Sequence, residues 1–365
     1  MIRGFRRSPW RRPVWLGLTM IAGLGVSGCA RPDRNEADRP VVRVATRPFL
    51  SFAPLYTAQT RGFFEAEGLD VEFVPIQSAS WGVSMLITGA IDVLPAPVSP
   101  ALFRAVEQGE RVRFVAGKGW IDPDGCSIVS LVSRAGALHE DRDPATSPLR
   151  LVTSNLAQIR YFIDAALSGV DLGLDDDRVD AVSIPEGAKL AALESGGVDV
   201  LTLSEPALSM ATRDQRVDVI ASIADVLPGT QFSVLAYGPR LIDAEPDVGR
   251  RFMAAYVRGV RAYAEGKTER NVAEIAQITG LSEEDVRGSC WVSVRDDARA
   301  TSDGFADYVD WYMAHGWLET APDLDDVIDE SFVDWAVASL ADSSRTDGGR
   351  TDSRRPQNTI EEQPE

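Results

Sequence analysis

From Val41 the chain alternates short apolar runs with amphipathic segments, the rhythm of an α/β protein. V-V-R-V-A (41–45) reads as a strand. P-L-Y-T-A-Q-T-R-G-F-F-E-A-E-G-L (54–69) puts Leu55, Ala58, Gln59 and Phe63 at helical spacing and stops at Gly68, which predicts one helix. D-V-E-F-V (70–74) alternates as a strand, and Ser78 or Ser80 caps a helix that ends near Gly89. I-D-V-L (91–94) is the next strand. Ser99 then stands at an N-cap with Pro100 at the first helical position, and R-V-R-F-V-A-G (111–117) is a further strand.

The pattern restarts at L-R-L-V (149–152). Ser154 or Asn155 caps a helix whose Ile159, Phe162, Ile163, Ala166 and Leu167 make a buried stripe. R-V-D-A-V-S-I (178–184) predicts a strand, E-G-A-K-L-A-A-L-E-S (186–195) a helix and V-D-V-L-T-L (198–203) a strand. Glu205-Pro206 opens another helix, and F-S-V-L-A-Y (232–237) is one more strand. Past Pro246 the chain turns helical: Val248, Phe252, Ala255, Val260 and Tyr263 form one stripe, Phe305, Tyr308, Val309, Tyr312 and Met313 another. T-G-A-I-D-V-L-P-A-P-V-S-P, from Thr88, and S-G-G-V-D-V-L-T-L-S-E-P, from Ser195, pass through the same sequence of helix end, glycine, apolar run and helix start. The chain therefore contains two related α/β units. Open α/β sheets bind ligands outside the carboxyl ends of their strands, so two such edges facing each other would grip a small molecule from both sides.

The termini do not follow this rhythm. Residues 1–29 begin with a basic stretch and carry an apolar run from Val14 to Val26, too short for the roughly 20 residues of a membrane-spanning helix. This is the anatomy of a signal peptide. It ends in V-S-G-C, and Cys29 stands where the lipobox of bacterial lipoproteins has its acylated cysteine; more than one acyl chain, palmitate for example, makes such an anchor lasting. Residues 30–40 read as a tether and 341–365, nearly free of apolar residues, as a disordered tail. The protein is expected at a cell membrane, lipid-anchored, facing the periplasm or the cell exterior.

Composition narrows the function classes. Hydrophobic residues make up 44% and the formal net charge is −18, which argues against nucleic acid as a partner. There are two histidines, His139 and His315, neither at metal-ligand spacing with a partner, and no nucleophile elbow, CxxC or phosphate loop. The reading is therefore a binder: not an enzyme, without cofactor or metal, and monomeric. Cys126 and Cys290 remain either as a disulfide pair or as two free thiols.

One series of blocks is more specific: Pro54-Leu55-Tyr56, Gly62-Phe63-Phe64, Glu67-Gly68-Leu69-Asp70-Val71, Gly89-Ala90-Ile91-Asp92-Val93 and Glu205-Pro206. In this order they resemble the solute-binding proteins of ABC importers for nitrate, sulfonates, taurine and thiamine-pyrimidine precursors. The resemblance covers about residues 41–340. It implies a two-lobed, type II periplasmic-binding-protein-like fold, each lobe a mixed sheet flanked by helices, with the ligand cleft between lobes and hinge closure on the ligand. It places one lobe in 41–122 plus 232–340 and the other in 123–231. It also implies an ABC permease and ATPase as partners and a small organic solute, pyrimidine-precursor-like or sulfonate-like. A tethered sensor with a membrane receptor is the alternative. A pyrimidine-synthesising enzyme of related fold is the remotest reading, since its cysteine cluster is missing. Two departures, S-P-L-R-L-V-T-S where the family often has G-K-K-V-G and Ser204 where it has tryptophan, lie near the expected cleft, so the family's ligands do not transfer directly.

Cleft residues are expected where strands end. On one side these are Phe49, Ser51 and Phe52, then Ser78, Ser80 and Trp81, then Pro97 and Ser99. On the other side they are Ser154, Asn155, Gln158, Ser204 and Glu205. Trp120, Gln231 and Phe232 stand where the chain should cross between lobes. Helix starts with Ser or Asn offer N–H donors, aromatics cover a ring or an alkyl chain, and Glu205 would favour an amine or a ring N–H.

Overall fold

In the computed structural model, whose described residues are 39–137, 150–154, 156–169, 184–300 and 303–348, eight strands form two sheets. The strands are β1 (Val41–Thr46), β2 (Asp70–Pro75), β3 (Val93–Pro97), β4 (Arg113–Trp120), β5 (Val129–Arg134), β6 (Val200–Ser204), β7 (Val217–Ser222) and β8 (Gln231–Tyr237). The larger sheet has the order β2-β1-β3-β8-β4 and the smaller one β6-β5-β7. β1 runs parallel to β2, from Val41↔Asp70 to Thr46↔Pro75, and parallel to β3; β8 is antiparallel to both β3 and β4. β5 is antiparallel to β6 and β7, and Leu151 adds a parallel bridge to Val200. The fold class is the mixed α/β one that the sequence predicts.

The helices are α1 (Ala53–Thr60), α2 (Phe63–Ala66), α3 (Ala79–Ile87), α4 (Pro100–Glu107), α5 (Ala157–Gly169), α6 (Lys189–Glu194), α7 (Ala207–Arg213), α8 (Ile223–Val226), α9 (Pro246–Ala264), α10 (Glu269–Thr279), α11 (Glu283–Gly288), α12 (Asp303–Ala314), α13 (Leu324–Val327) and α14 (Ser331–Gly348). None of the described helices is long and apolar enough to cross a membrane. Hydrophobic layers cover both faces of the larger sheet. Leu55, Phe252, Tyr256 and Phe332 pack with Val42 and Val44, whereas Leu86, Phe103, Phe305 and Tyr308 pack with Ala45 and Leu94. The smaller sheet has separate layers around Phe162 and Leu131 and around Leu201 and Leu208.

Three features differ from the sequence pattern. The helix predicted over 54–69 is broken into α1 and α2 at Gly62, where φ is 70°. Ser99 precedes α4, but its hydroxyl makes no cap bond. β5 and β7 are strands that the pattern passes over. β5, V-S-L-V-S-R, is central to its sheet and buries Ser130 and Ser133 together with its apolar residues, so it neither alternates nor reads as an apolar run. Cys29, Asn155, His139 and all but the last residue of the strand predicted over 178–184 lie outside the described residues.

The sequence repeat is a structural one. The backbone N–H of Arg43 donates to the Asp92 carboxylate at 2.8 Å, and the Asp92 N–H returns to the Arg43 carbonyl at 2.8 Å. In the second unit the Arg150 N–H donates to Asp199 at 2.9 Å, and the Asp199 N–H returns to Arg150 at 2.9 Å. Both pairs are 49 residues apart, and each arginine side chain also reaches its aspartate. Gly89 and Gly196, at the matching helix ends, share a φ of 70°. One turn, with its Arg–Asp clasp, is built twice.

α9 crosses α1 at Gly259. A Cβ there would overlap the Pro54 carbonyl oxygen and stand 2.8 Å from the Ala58 Cβ. Backbone cannot move aside as a flexible side chain does, so Gly259→Ala is expected to force the two helices apart. The predicted loss is about 1–3 kcal/mol in urea unfolding; an unchanged midpoint would show that the crossing has slack.

A strap formed by 291–300 and 328–329 lies along the outer rim of β4. The Phe114 carbonyl accepts from Asp329 N–H at 2.9 Å, the Gly117 N–H donates to Ala298 at 2.8 Å and the Trp120 N–H to Ser293 at 2.9 Å. Side chains are excluded there. A Cβ on Gly117 would overlap the Arg299 carbonyl at 2.6 Å, and one on Gly119 would lie 2.6 Å from Val292.

Candidate functional site

The chain leaves the larger sheet at the end of β4 and enters the smaller one at the start of β5; it returns from the end of β7 to the start of β8. The two crossing segments bond to each other, Ile121 N–H to Thr230 at 2.9 Å and Gly229 N–H to Ile121 at 2.7 Å. In the larger sheet, the edge that meets these crossings carries the carboxyl ends of β1, β2, β3 and β4. In the smaller sheet, it carries the carboxyl ends of β6 and β7. Both sheets therefore present to the crossing segments the strand ends at which open α/β sheets hold ligands.

The segment after β1 places Phe49, Ser51 and Phe52 on the first edge. Phe49 is 43% exposed and carries the Arg47 guanidinium 4.3 Å over its ring. Phe52 is buried and Ser51 half-buried. After β2, Ser78 accepts from the Trp81 N–H at 3.2 Å and so caps α3, Ser80 is exposed, and Trp81 is 47% exposed. Pro97 pairs with Ser233 at the end of β3, and Trp120 closes β4 opposite Gln231. Phe49 and Trp81 thus leave large apolar side chains in water beyond the ends of β1 and β2.

The second edge is more occupied by its own contacts. Ser154 accepts from the Leu156 N–H at 3.1 Å. Leu156, which the sequence reading did not single out, is exposed beside it. Gln158 is buried; its amide donates to the Phe232 carbonyl and, at 3.0 Å, to the Tyr308 hydroxyl, so it joins α5 to β8 and α12. Tyr161 extends that junction, edge-on to Tyr308 with centroids 5.3 Å apart. Gln231 is also buried, its amide donating to the carbonyls of Gly119 at 2.8 Å and Ser233 at 2.7 Å. These two amides brace the start of β8 beside the crossing segments. Ser204 ends β6 opposite Val129. Glu205 accepts from the Ser209 hydroxyl at 2.7 Å, and its Oε2 is buried with no hydrogen-bond partner among the described residues. Burial pushes the Glu205 carboxyl up, against the pull of the Ser209 bond and of the Cys290 backbone.

Cys126, in the first crossing segment, is disulfide-bonded to Cys290, with the Cα atoms 5.7 Å apart. No cluster of metal-ligating side chains occurs among the described residues.

Lys118 was not among the residues marked by sequence. It lies on β4 near the same edge and is 3% exposed. Its Nζ donates to Ser51 Oγ at 3.1 Å and stands 4.2 Å over the Phe52 ring. Burial, and then the neighbouring Arg47 charge, lower its pKa to about 7. Behind this group Tyr56 hydrogen-bonds Thr46 and donates to the Arg47 carbonyl at 3.0 Å.

This architecture has known counterparts. The putative periplasmic sulfonate-binding protein SsuA of Methylobacillus flagellatus superposes with a TM-score of 0.62 at 18% identity, over 83% of this chain and 96% of that one. The periplasmic nitrate-binding protein NrtA of Synechocystis PCC 6803 gives 0.60 at 13%, over 82% and 89%. The desulfurization enzyme DSZB gives 0.60 at 15%, over 83% and 100%. These likenesses establish the periplasmic-binding-protein fold. No curated protein matches the sequence. The sequence model of the NMT1-like family matches residues 35–279, a stretch that holds both Arg–Asp clasps and both crossing segments. The chain is a member of the NMT1-like family.

Proposed function

We propose that the protein is an extracytoplasmic receptor that captures a small organic solute between two lobes and hands it to an ABC importer. The lobes are 41–122 with 232–340, and 123–231. Cys29 holds the molecule at the membrane once acylated. The observation that carries this reading is the pair of sheet edges turned to one hinge region, with Phe49, Trp81 and Leu156 exposed along them. Family membership and the binding proteins of like fold support it. The fold alone does not separate binder from catalyst, because DSZB shares it; recovery of the bound solute decides between them.

The test is native mass spectrometry of the purified protein, followed by a thermal-shift screen of anionic and neutral organic solutes. A solute at 100 times its dissociation constant should add about 2.7 kcal/mol to the unfolding free energy. Recovery of the solute unchanged fits a receptor; a converted product would make the protein an enzyme. Phe49→Ala combined with Trp81→Ala is expected to cut affinity by about tenfold or more, since aromatic pocket walls carry much of a ligand's contact area, with the unliganded melting temperature unchanged. Equal affinity in this double variant would move the site away from the first edge. A permease–ATPase pair that stays inactive when loaded receptor is added would favour the sensor alternative.

A further inference from the structure

We propose that Lys118 and Ser51 form the floor of an anion subsite on the larger sheet, which takes the carboxylate or sulfonate head of a solute whose apolar body lies against Phe52 and the exposed aromatics of the rim. The proposal rests on the receptor reading and narrows it to one chemical class.

The argument starts from a missing counter-charge. An ammonium taken out of water loses several kcal/mol of hydration and is normally repaid by a carboxylate. The fold does this elsewhere: buried Asp92 faces Arg43 and Arg240, and buried Asp199 faces Arg150. Lys118 is as deeply buried, but no carboxylate pairs with it among the described residues. It has three N–H donors and one neutral acceptor, the Ser51 hydroxyl. The Phe52 face helps only modestly. The charge that acts on it is the like charge of Arg47, itself stacked on Phe49, and the nearby Tyr56 hydroxyl is engaged with Thr46 and the Arg47 carbonyl. The group is at a strand end on the edge where ligands of this sheet type bind, not in the sheet's interior. An oxyanion there would complete both the hydrogen bonding and the charge balance. It would also explain how a chain of net charge −18 receives an anion: the attraction is local, not a field of the whole molecule.

An arriving anion must also change the proton count. At pH 8 a lysine that titrates near 7 is mostly neutral, and a bound anion restores its charge, so binding should draw about one proton per ligand from buffer. Benzenesulfonate and benzoate serve as probes, with benzenesulfonamide and benzamide as neutral controls of like shape. Titration calorimetry at pH 8 in triethanolamine and in Tris, two buffers that are not anions, reads the proton uptake. Either anion should bind the wild type with uptake, and the amides should not. In Lys118→Met and Lys118→Gln the unliganded protein should melt no lower than wild type, while anion affinity falls at least tenfold and the uptake vanishes. Anions that bind both variants as well as wild type, or bind without uptake, overturn the proposal, and so does failure of both anions to bind. Binding of an amide alone sinks the anion subsite and leaves the receptor reading intact. That reading itself fails if the wider screen, neutral solutes included, finds no ligand, or if a bound solute is recovered converted.

Discussion

Asp92→Ala is expected to lower the unfolding free energy by about 2–4 kcal/mol, the cost of removing a buried carboxylate that a backbone N–H and two half-buried arginines share. Asp92 is 1% exposed. It accepts from the Arg43 backbone N–H at 2.8 Å, from Arg43 Nε at 3.3 Å and Nη2 at 3.1 Å, and from Arg240 Nη1 at 3.2 Å. Alanine would leave that N–H and two guanidinium groups without their shared acceptor at the junction of β1, β3 and the segment after β8. The repeated clasp supplies an internal control. Asp199, 7% exposed, accepts from the Arg150 backbone N–H and Nε, and the Arg150 Nη2 donates to the Gly196 carbonyl. The Arg150 side chain, 42% exposed against 36% for Arg43 and 26% for Arg240, is the better solvated partner, so Asp199→Ala should lose less, about 1–3 kcal/mol. Urea unfolding of both variants measures the difference. Equal losses would mean that the deeper burial around Asp92 adds nothing, and a loss below about 1 kcal/mol at position 92 would contradict the ion-pair account.

The second large effect is expected from Cys126→Ser with Cys290→Ser. The bridge joins residues 164 apart in sequence and ties the first crossing segment to the chain between α11 and α12. Opening so long a loop frees the unfolded chain, and removal of such a bridge costs roughly 2–5 kcal/mol. Scanning calorimetry of the double variant, beside wild type with and without reductant, should show a lower transition in both thiol forms. A melting temperature within one or two degrees of the oxidised protein, on the scale of roughly 2–4 °C per kcal/mol for a domain of this size, would mean that native packing already holds the two segments together.

Much of the frame was legible because it depends on local pattern. The parallel strands β1 and β3 are apolar runs between turn signals, and the stripe of α5 lies buried as its spacing predicts. The doubled turn could be seen as an ordered repeat, although its Arg–Asp clasp could not: the two partners are 49 residues apart and only sheet pairing joins them. Lys118 was invisible for a similar reason. In A-G-K-G-W a lysine reads as exposed, and its burial comes from Ser51 and Phe52, 67 and 66 positions upstream, folding over it. The two glutamines show the opposite limit. An amide at a crossing point reads as a ligand donor, yet those of Gln158 and Gln231 are engaged by nearby carbonyls that no single-chain pattern assigns to them. Glu205 was placed correctly at a strand end, but its tie to Ser209 depends on where α7 begins.

The strap along β4 bears on a hazard unrelated to solutes. β4 is the last strand of its sheet, and an uncovered last strand offers its amides and carbonyls to any extended chain that drifts past. Here those sites are claimed from within, and all of the claiming residues lie beyond position 279, where the family match ends. The two glycines that admit the strap would be an invitation to intermolecular pairing in a chain that lost it. The C-terminal region thus occupies, within the chain itself, backbone groups of β4 that would otherwise be open to strand pairing.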